Sequence, residues 1–280
     1  MAAANSRLFA LLAHLVLDGL SAQNRFLVDS IPSLGPFVPL ETHPDEMAAE
    51  HQRFFGYELL PWASVFLSDD AQLGGPIAST VSQTYERAGF RPADGHEPDH
   101  LGNELMFIAW LWDRRQGDAA AEFAGQHVTP WLTPLACAGI DVGGFYAQLL
   151  PFTLELCLAF AVPPPDLNGK VPAVLDDPRS GLKQVAHWLA TPAWSGLFWT
   201  HRTLGQVGKR TGVPHGFGSR EKSLESLLFA SSDAGRLPEL TAEMQSVIQR
   251  WKSCMEGPAA PSWIARLDGA SQVLGRLGKA

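Results

Sequence analysis

Apolar side chains recur at intervals of three and four along nearly the whole chain, and proline and glycine, rather than alternating β-branched runs, interrupt them. Such an interval keeps a row of side chains on one face of a helix, whereas a strand face requires strict alternation. An all-α fold is therefore expected. The spacing predicts helices over residues 5–19, 45–57, 76–88, 99–116, 118–137 and 142–161, then near 181–190, 194–211, 219–231, 238–255 and 261–277. Pro76 after Gly74 and Gly75 marks a helix start, and Gly89 after Ala88 a stop. The segment from Leu60 to Gly75 reads as irregular.

A chain of 280 residues can bury a sizeable core as one domain or as a domain with an extension. The helical pattern breaks over residues 163–180, where Pro163-Pro164-Pro165 and Asp177-Pro178 make a semi-rigid connection. The expected division is a first domain over 1–162, a proline-rich connection over 163–180 and a helical extension over 181–280. Trp188, Trp194, Trp199 and Trp251 are expected to build the core of that extension.

The net charge of −8 argues against a nucleic-acid or anionic-membrane surface and favours a basic partner. Three cysteines, Cys137, Cys157 and Cys254, contain no Cys-x-x-Cys, so they suit neither a disulfide framework nor a thiolate metal site. The apolar run Leu8–Leu17 contains His14 and has only Arg7 before it, so it reads as the first helix of the fold and not as a signal-peptide core. No run is long and apolar enough to span a bilayer, and a cytoplasmic protein is expected.

The stretch Glu97-Pro98-Asp99-His100-Leu101-Gly102-Asn103-Glu104-Leu105 sets acidic and imidazole groups at a helix start. Asp99 is placed to accept hydrogen bonds from the free amides that follow it, and Leu101, Leu105, Ile108 and Trp112 lie on one helical face. His100 and Glu104, four apart, are neighbours beside that face. The stretch resembles the signature of the TorD/DmsD/NarJ group of cytoplasmic chaperones that mature molybdenum-containing redox enzymes. Upstream, Glu50-x-x-Arg53-Phe54-Phe55, Pro61-Trp62-Ala63-Ser64-Val65-Phe66-Leu67 and Tyr85-x-x-Ala88-Gly89-Phe90 are similar to further blocks of that group, in the same order. Downstream, Phe123-x-x-x-His127-x-x-Pro130-Trp131 is similar to another. The likeness covers residues 5 to 160.

The resemblance implies a TorD-like helical chaperone without catalytic residues, metal or cofactor, with an additional C-terminal helical unit. Its implied partner is the catalytic-subunit precursor of a molybdoenzyme, met through a twin-arginine signal peptide and assisted in cofactor insertion before export or assembly. A runner-up within the group is a client lacking that signal, and the resemblance also implies a capacity to form a homodimer. Such a peptide needs carboxylates for its guanidinium groups and an apolar groove for its hydrophobic part. Glu97, Asp99 and Glu104 are candidates for the first surface, with His100 as a neighbour that modulates their charge near pH 6 to 7. Trp62 and Phe66, in the irregular block, are candidates for contact with the partner, and Ala63 stands where many members carry glutamate. His127 is expected to find its polar partner among the acidic groups of the 97–104 region, while Phe123, Trp131 and Tyr85 read as core.

From another class, His100, Glu104 and His127 would serve a small-molecule or metal-dependent enzyme. The spacing matches no closed metal site, and neither a Gly-x-Ser-x-Gly elbow nor a P-loop is present.

Overall fold

In the computed structural model, residues 2–39, 43–92, 95–164, 167, 171–176 and 180–279 are described. Helix α1 (Ala2–Leu17) packs along α6 (Leu101–Asp113), and Leu12, Leu15 and Val16 of the first and Leu101, Leu105 and Ile108 of the second are all buried. Burial of each such side chain contributes on the order of 1.5–3 kcal/mol. The two helices lie close because residue 102 is glycine: a Cβ there would sit 2.4 Å from Leu17 Cγ.

Among the described residues the chain is helical, with no strand and one isolated antiparallel bridge between Trp62 and His100. The all-α expectation holds. Met1–Ser68 with Gln72–Pro165 form one compact unit, and Asp69–Ala71 with Asp166–Ala280 form a second. Of the proline-rich connection, Pro165, Asp177 and Pro178 lie outside the described residues.

In the first unit α2 (Ala22–Asp29) follows α1, opened by a capping box in which the Ser21 hydroxyl and the Asn24 side chain satisfy each other's amides. Helix α3 (Pro44–His51) runs into a π-helical stretch, Gln52–Glu58, closed by an i→i+5 bond from Leu59 N to Phe54 O. Then come α4 (Ala63–Leu67), α5 (Gly75–Ala88), α6, α7 (Gly117–Phe123), a second π stretch over Ala124–Val128, α8 (Thr129–Val142) and α9 (Phe145–Leu158). Each π turn falls on one of the sequence blocks quoted above. The second ends just before Pro130, which has no N–H to continue an α ladder, so a widened turn is the low-cost way through. It also gives Phe123 and Trp131, on either side of it, different neighbours. Phe123 packs on Tyr85 and Phe107, whereas Trp131 packs on Phe66.

The second unit contains α10 (Leu182–Ala190), α11 (Pro192–Ser195), α12 (His201–Thr211), α13 (Arg220–Asp233), α14 (Leu237–Cys254) and α15 (Ala260–Leu277). Helix α10 packs on α13, and α14 on α15. Trp188, Trp199, Trp251 and Trp263 are buried there, while Trp194 is only half-buried and borders open cavities instead. The helix expected over 194–211 is broken at Gly196, whose left-handed φ of +74° stops α11, and whose missing Cβ leaves room for Leu267.

Candidate functional site

Two blocks of the sequence, residues 61–64 and 97–104, are joined into one seam. Ala63 N donates to Asp99 O at 3.0 Å and Leu101 N to Pro61 O at 2.9 Å, on either side of the Trp62–His100 bridge. The Asp99 carboxylate, fully buried, accepts from Ser64 N at 2.7 Å. Asp99 thus closes the N-terminus of α4 and not of its own helix, where His100 is the cap: its Nδ1 accepts from Gly102 N at 3.1 Å.

This corrects two expectations. The segment from Leu60 to Gly75 is not irregular throughout, because a one-turn helix too short to persist alone is held by a distant carboxylate. Phe66 accordingly turns inward, with no exposed surface, against Trp131.

The loop before α6 is pinned from below. Tyr85 Oη donates to Pro98 O at 3.0 Å and Asn103 Nδ2 to Glu97 O at 3.1 Å. Glu104 is fully buried and accepts from Trp131 Nε1 at 3.2 Å. Burial, together with the negative charge of Asp99, pushes its carboxyl well above the usual range, so it holds its proton to higher pH than a free carboxyl does. Burial also raises Asp99, against the hydrogen bonds from Ser64. Among the described residues, one oxygen of each acid, Asp99 Oδ1 and Glu104 Oε1, has no hydrogen-bond partner. His100 is pushed down to about 3, first by burial and then by His96 and His51. It stays neutral at pH 6 to 7, which overturns its expected role as a charge modulator.

What the seam shows to solvent is a different set. Glu97 and His96 are exposed and Trp62 is half-buried, its ring 4.8 Å from that of His100; His96 stacks on His100 at 4.5 Å. Of the acidic residues expected to face a partner, Glu97 does and Asp99 and Glu104 do not. His127 stands in a third environment: a polar groove of about 710 Å³ bordered by Arg87, Arg115 and Glu122. Burial lowers its pKa, and the charge that opposes this is Glu122 on the preceding turn, not an acid of the 97–104 region. Among the described residues no hydrogen bond or ion pair links His100, Glu104 and His127, and no three His, Cys, Asp or Glu side chains converge as metal ligands.

The sequence reading missed a trough between α1 and α2. It has a volume of about 840 Å³, with Leu8, Leu11, Leu27 and Ile31 along it; Arg7 borders it toward the start of α1, and His14 and Asp18, which pair at 2.9 Å, border it toward the other end of that helix. Phe26 and Leu27 of α2 are exposed. Asp18 directly follows Leu17, the residue seated on Gly102, so the acidic end of the trough adjoins the start of α6. His51 ties the same corner together: Nε2 lies 2.9 Å from Val16 O, and the charges of Asp18 and His96 both act on its ring. The signal that would have found the trough is the Ser21-x-x-Asn24 cap, which announces a short amphipathic helix after α1.

Residues 18–136 match the family described as nitrate reductase delta subunit. The chain is 28% identical over 144 residues to a Tat proofreading chaperone DmsD of Salmonella paratyphi A, covering 45% of this chain and 71% of the relative. It is 27% identical over 150 residues to the protein of the same name from Salmonella typhimurium, covering 47% and 74%.

Proposed function

We infer that this chain, which belongs through its first unit to the TorD/DmsD/NarJ family of redox-enzyme maturation chaperones, binds the N-terminal signal of a redox-enzyme precursor and holds it from premature export. It works by binding and release, without covalent chemistry. The observation that carries this reading is the apolar trough ending on Asp18 beside the seam that exposes Glu97. A hydrophobic segment in helical form fits the trough, and a basic pair next to it meets two exposed carboxylates, Glu97 and Asp18, the second of which exchanges its pairing with His14 for a guanidinium. Among the residues expected to contact the peptide, we assign Trp62 and Glu97 to contact. Asp99, His100, Glu104 and Phe66 hold the platform.

Calorimetric titration tests this with a peptide of two adjacent arginines followed by an apolar stretch, and a control with two lysines. The arginine peptide is expected to bind several-fold tighter, because a planar fork and not charge alone is recognised. Equal binding of both peptides, or of the apolar stretch without either pair, would overturn the assignment.

The client we propose is the catalytic subunit of a molybdenum-containing oxidoreductase, kept open in the cytoplasm for cofactor insertion before export or assembly. A client without a twin-arginine signal is the second reading, favoured by the match to the nitrate reductase delta subunit family. Co-purification of the catalytic subunit with and without its N-terminal signal separates the two. We further propose residues 1–162 as the chaperone domain, 163–180 as its connection and 181–280 as a helical extension.

A further inference from the structure

The trough between α1 and α2 is polarised along its length. At one end stand Asp18 and, soon after it in the chain, Gln23 and Asn24; toward the other lie Leu8 and Leu11, and Arg7 marks the border there. Ser30 also borders the trough, but its hydroxyl is turned onto Leu27 O at 2.6 Å, within its own helix end. Arg7 is exposed, and among the described residues no hydrogen bond or ion pair engages its guanidinium. The two ends therefore differ in charge: a carboxylate at one and an unpaired cation at the other.

Helix α1 runs from Ala2 to Leu17, and Asp18 follows its last residue, so at roughly 1.5 Å per residue Arg7 and Asp18 stand about 16 Å apart along the axis. A guest helix of about eleven residues has that length. The carbonyls at the end of α1 gather its negative pole on the Asp18 side. A guest whose N-terminus lies there sets its positive pole against both, and its own free carbonyls face the donors of Arg7. Turned the other way, the same guest would set its carbonyls on Asp18 and its arginines on Arg7. Both contacts would repel.

On the reading of the trough as the seat of the client's signal, we propose that it reads direction: the signal lies antiparallel to α1, with its arginine pair at Asp18 and the end of its apolar segment at Arg7. Arg7 is then the residue that sets where the apolar segment ends. It favours free helix carbonyls or an acidic side chain about eleven residues after the start of the pair, and it rejects a cation at that place.

The experiment titrates the full chain calorimetrically with acetylated, amidated peptides, so that terminal charges play no part. The first peptide has two arginines followed by about nine apolar residues, the second has the same residues in reverse order, and the third is the first with a glutamate added after the apolar stretch. The first is expected to bind about fivefold tighter than the second, and the added glutamate to gain about threefold more. Arg7→Gln, a change at an exposed side chain, is expected to remove the gain from the glutamate while the first peptide still binds. Equal affinity for the first and second peptides, or a glutamate gain that survives Arg7→Gln, would overturn the directional seat and leave the trough as the site of the signal. A first peptide that does not bind at all would remove the trough as that site, and the directional seat with it.

Discussion

The carboxylate of Asp99 accepts the Ser64 amide at 2.7 Å and so closes the N-terminus of a five-residue helix 35 residues upstream in the chain. That bond, the neighbouring main-chain pair and the Trp62–His100 bridge make one object of two loops. Removing the cap by Asp99→Ala is expected to cost about 1–2 kcal/mol of stability, with Asp99→Asn costing less because an oxygen acceptor remains. Urea denaturation of the three proteins decides it; a cost for Asn equal to that for Ala would show that the charge, not the cap, is what matters.

Glu104 yields a pH prediction whose sign follows from its raised pKa. The folded protein keeps this carboxyl protonated at pH values where the unfolded chain has lost the proton, so its contribution is fully present below the unfolded value, near 4.3, and declines as pH rises toward the folded value. Glu104→Gln copies the neutral acid and still accepts from Trp131. Its stability relative to the unmodified protein is expected to climb with pH above that point, by at most about 1.4 kcal/mol per unit. Denaturation midpoints at pH 5, 6 and 7 test this, and a difference that stays flat would mean Glu104 is ionised in the fold.

The contact of Gly102 with Leu17 ties α1 to the start of α6. Gly102→Ala forces a Cβ to within 2.4 Å of Leu17 Cγ unless one helix shifts, and is expected to cost about 1–3 kcal/mol. Pairing it with Leu17→Ala relieves the clash. The double variant should therefore be less destabilised than the two single losses added together, which a denaturation cycle measures.

Peptide binding should depend on the exposed acids and not on His100. Asp18→Asn and Glu97→Gln are each expected to weaken an arginine-pair peptide by about 0.5–1 kcal/mol, less at high salt, because both carboxylates are solvent-screened. His100, held near 3, is neutral throughout the physiological range. Between pH 6 and 8 the binding profile of His100→Asn should parallel that of the unmodified protein, and a lost pH step in the variant would contradict the burial of the imidazole.

A chain ending at Pro164 is expected to melt cooperatively. Val162 N donates to Ala121 O at 3.1 Å, so an end before that residue would remove a closing contact of the first unit. Calorimetry of the shortened chain checks it, with aggregation as the adverse result.

Much of this architecture is legible in the residues alone, since a three-to-four spacing of apolar side chains is a local property and the helices over 76–88, 182–190, 238–254 and 261–277 follow from it. The resemblance of the 97–105 stretch to a chaperone family was readable in the same way. Tertiary structure decided which helix Asp99 caps, that Glu104 and Phe66 turn inward while Glu97 stays outside, and that a trough lies between α1 and α2. A carboxylate beside a helix start has free amides to satisfy both in its own chain segment and in any segment packed against it. Sequence spacing sees only the first of these, and the competition is settled by which amide the packing of α1 on α6 and α4 on α8 brings within reach.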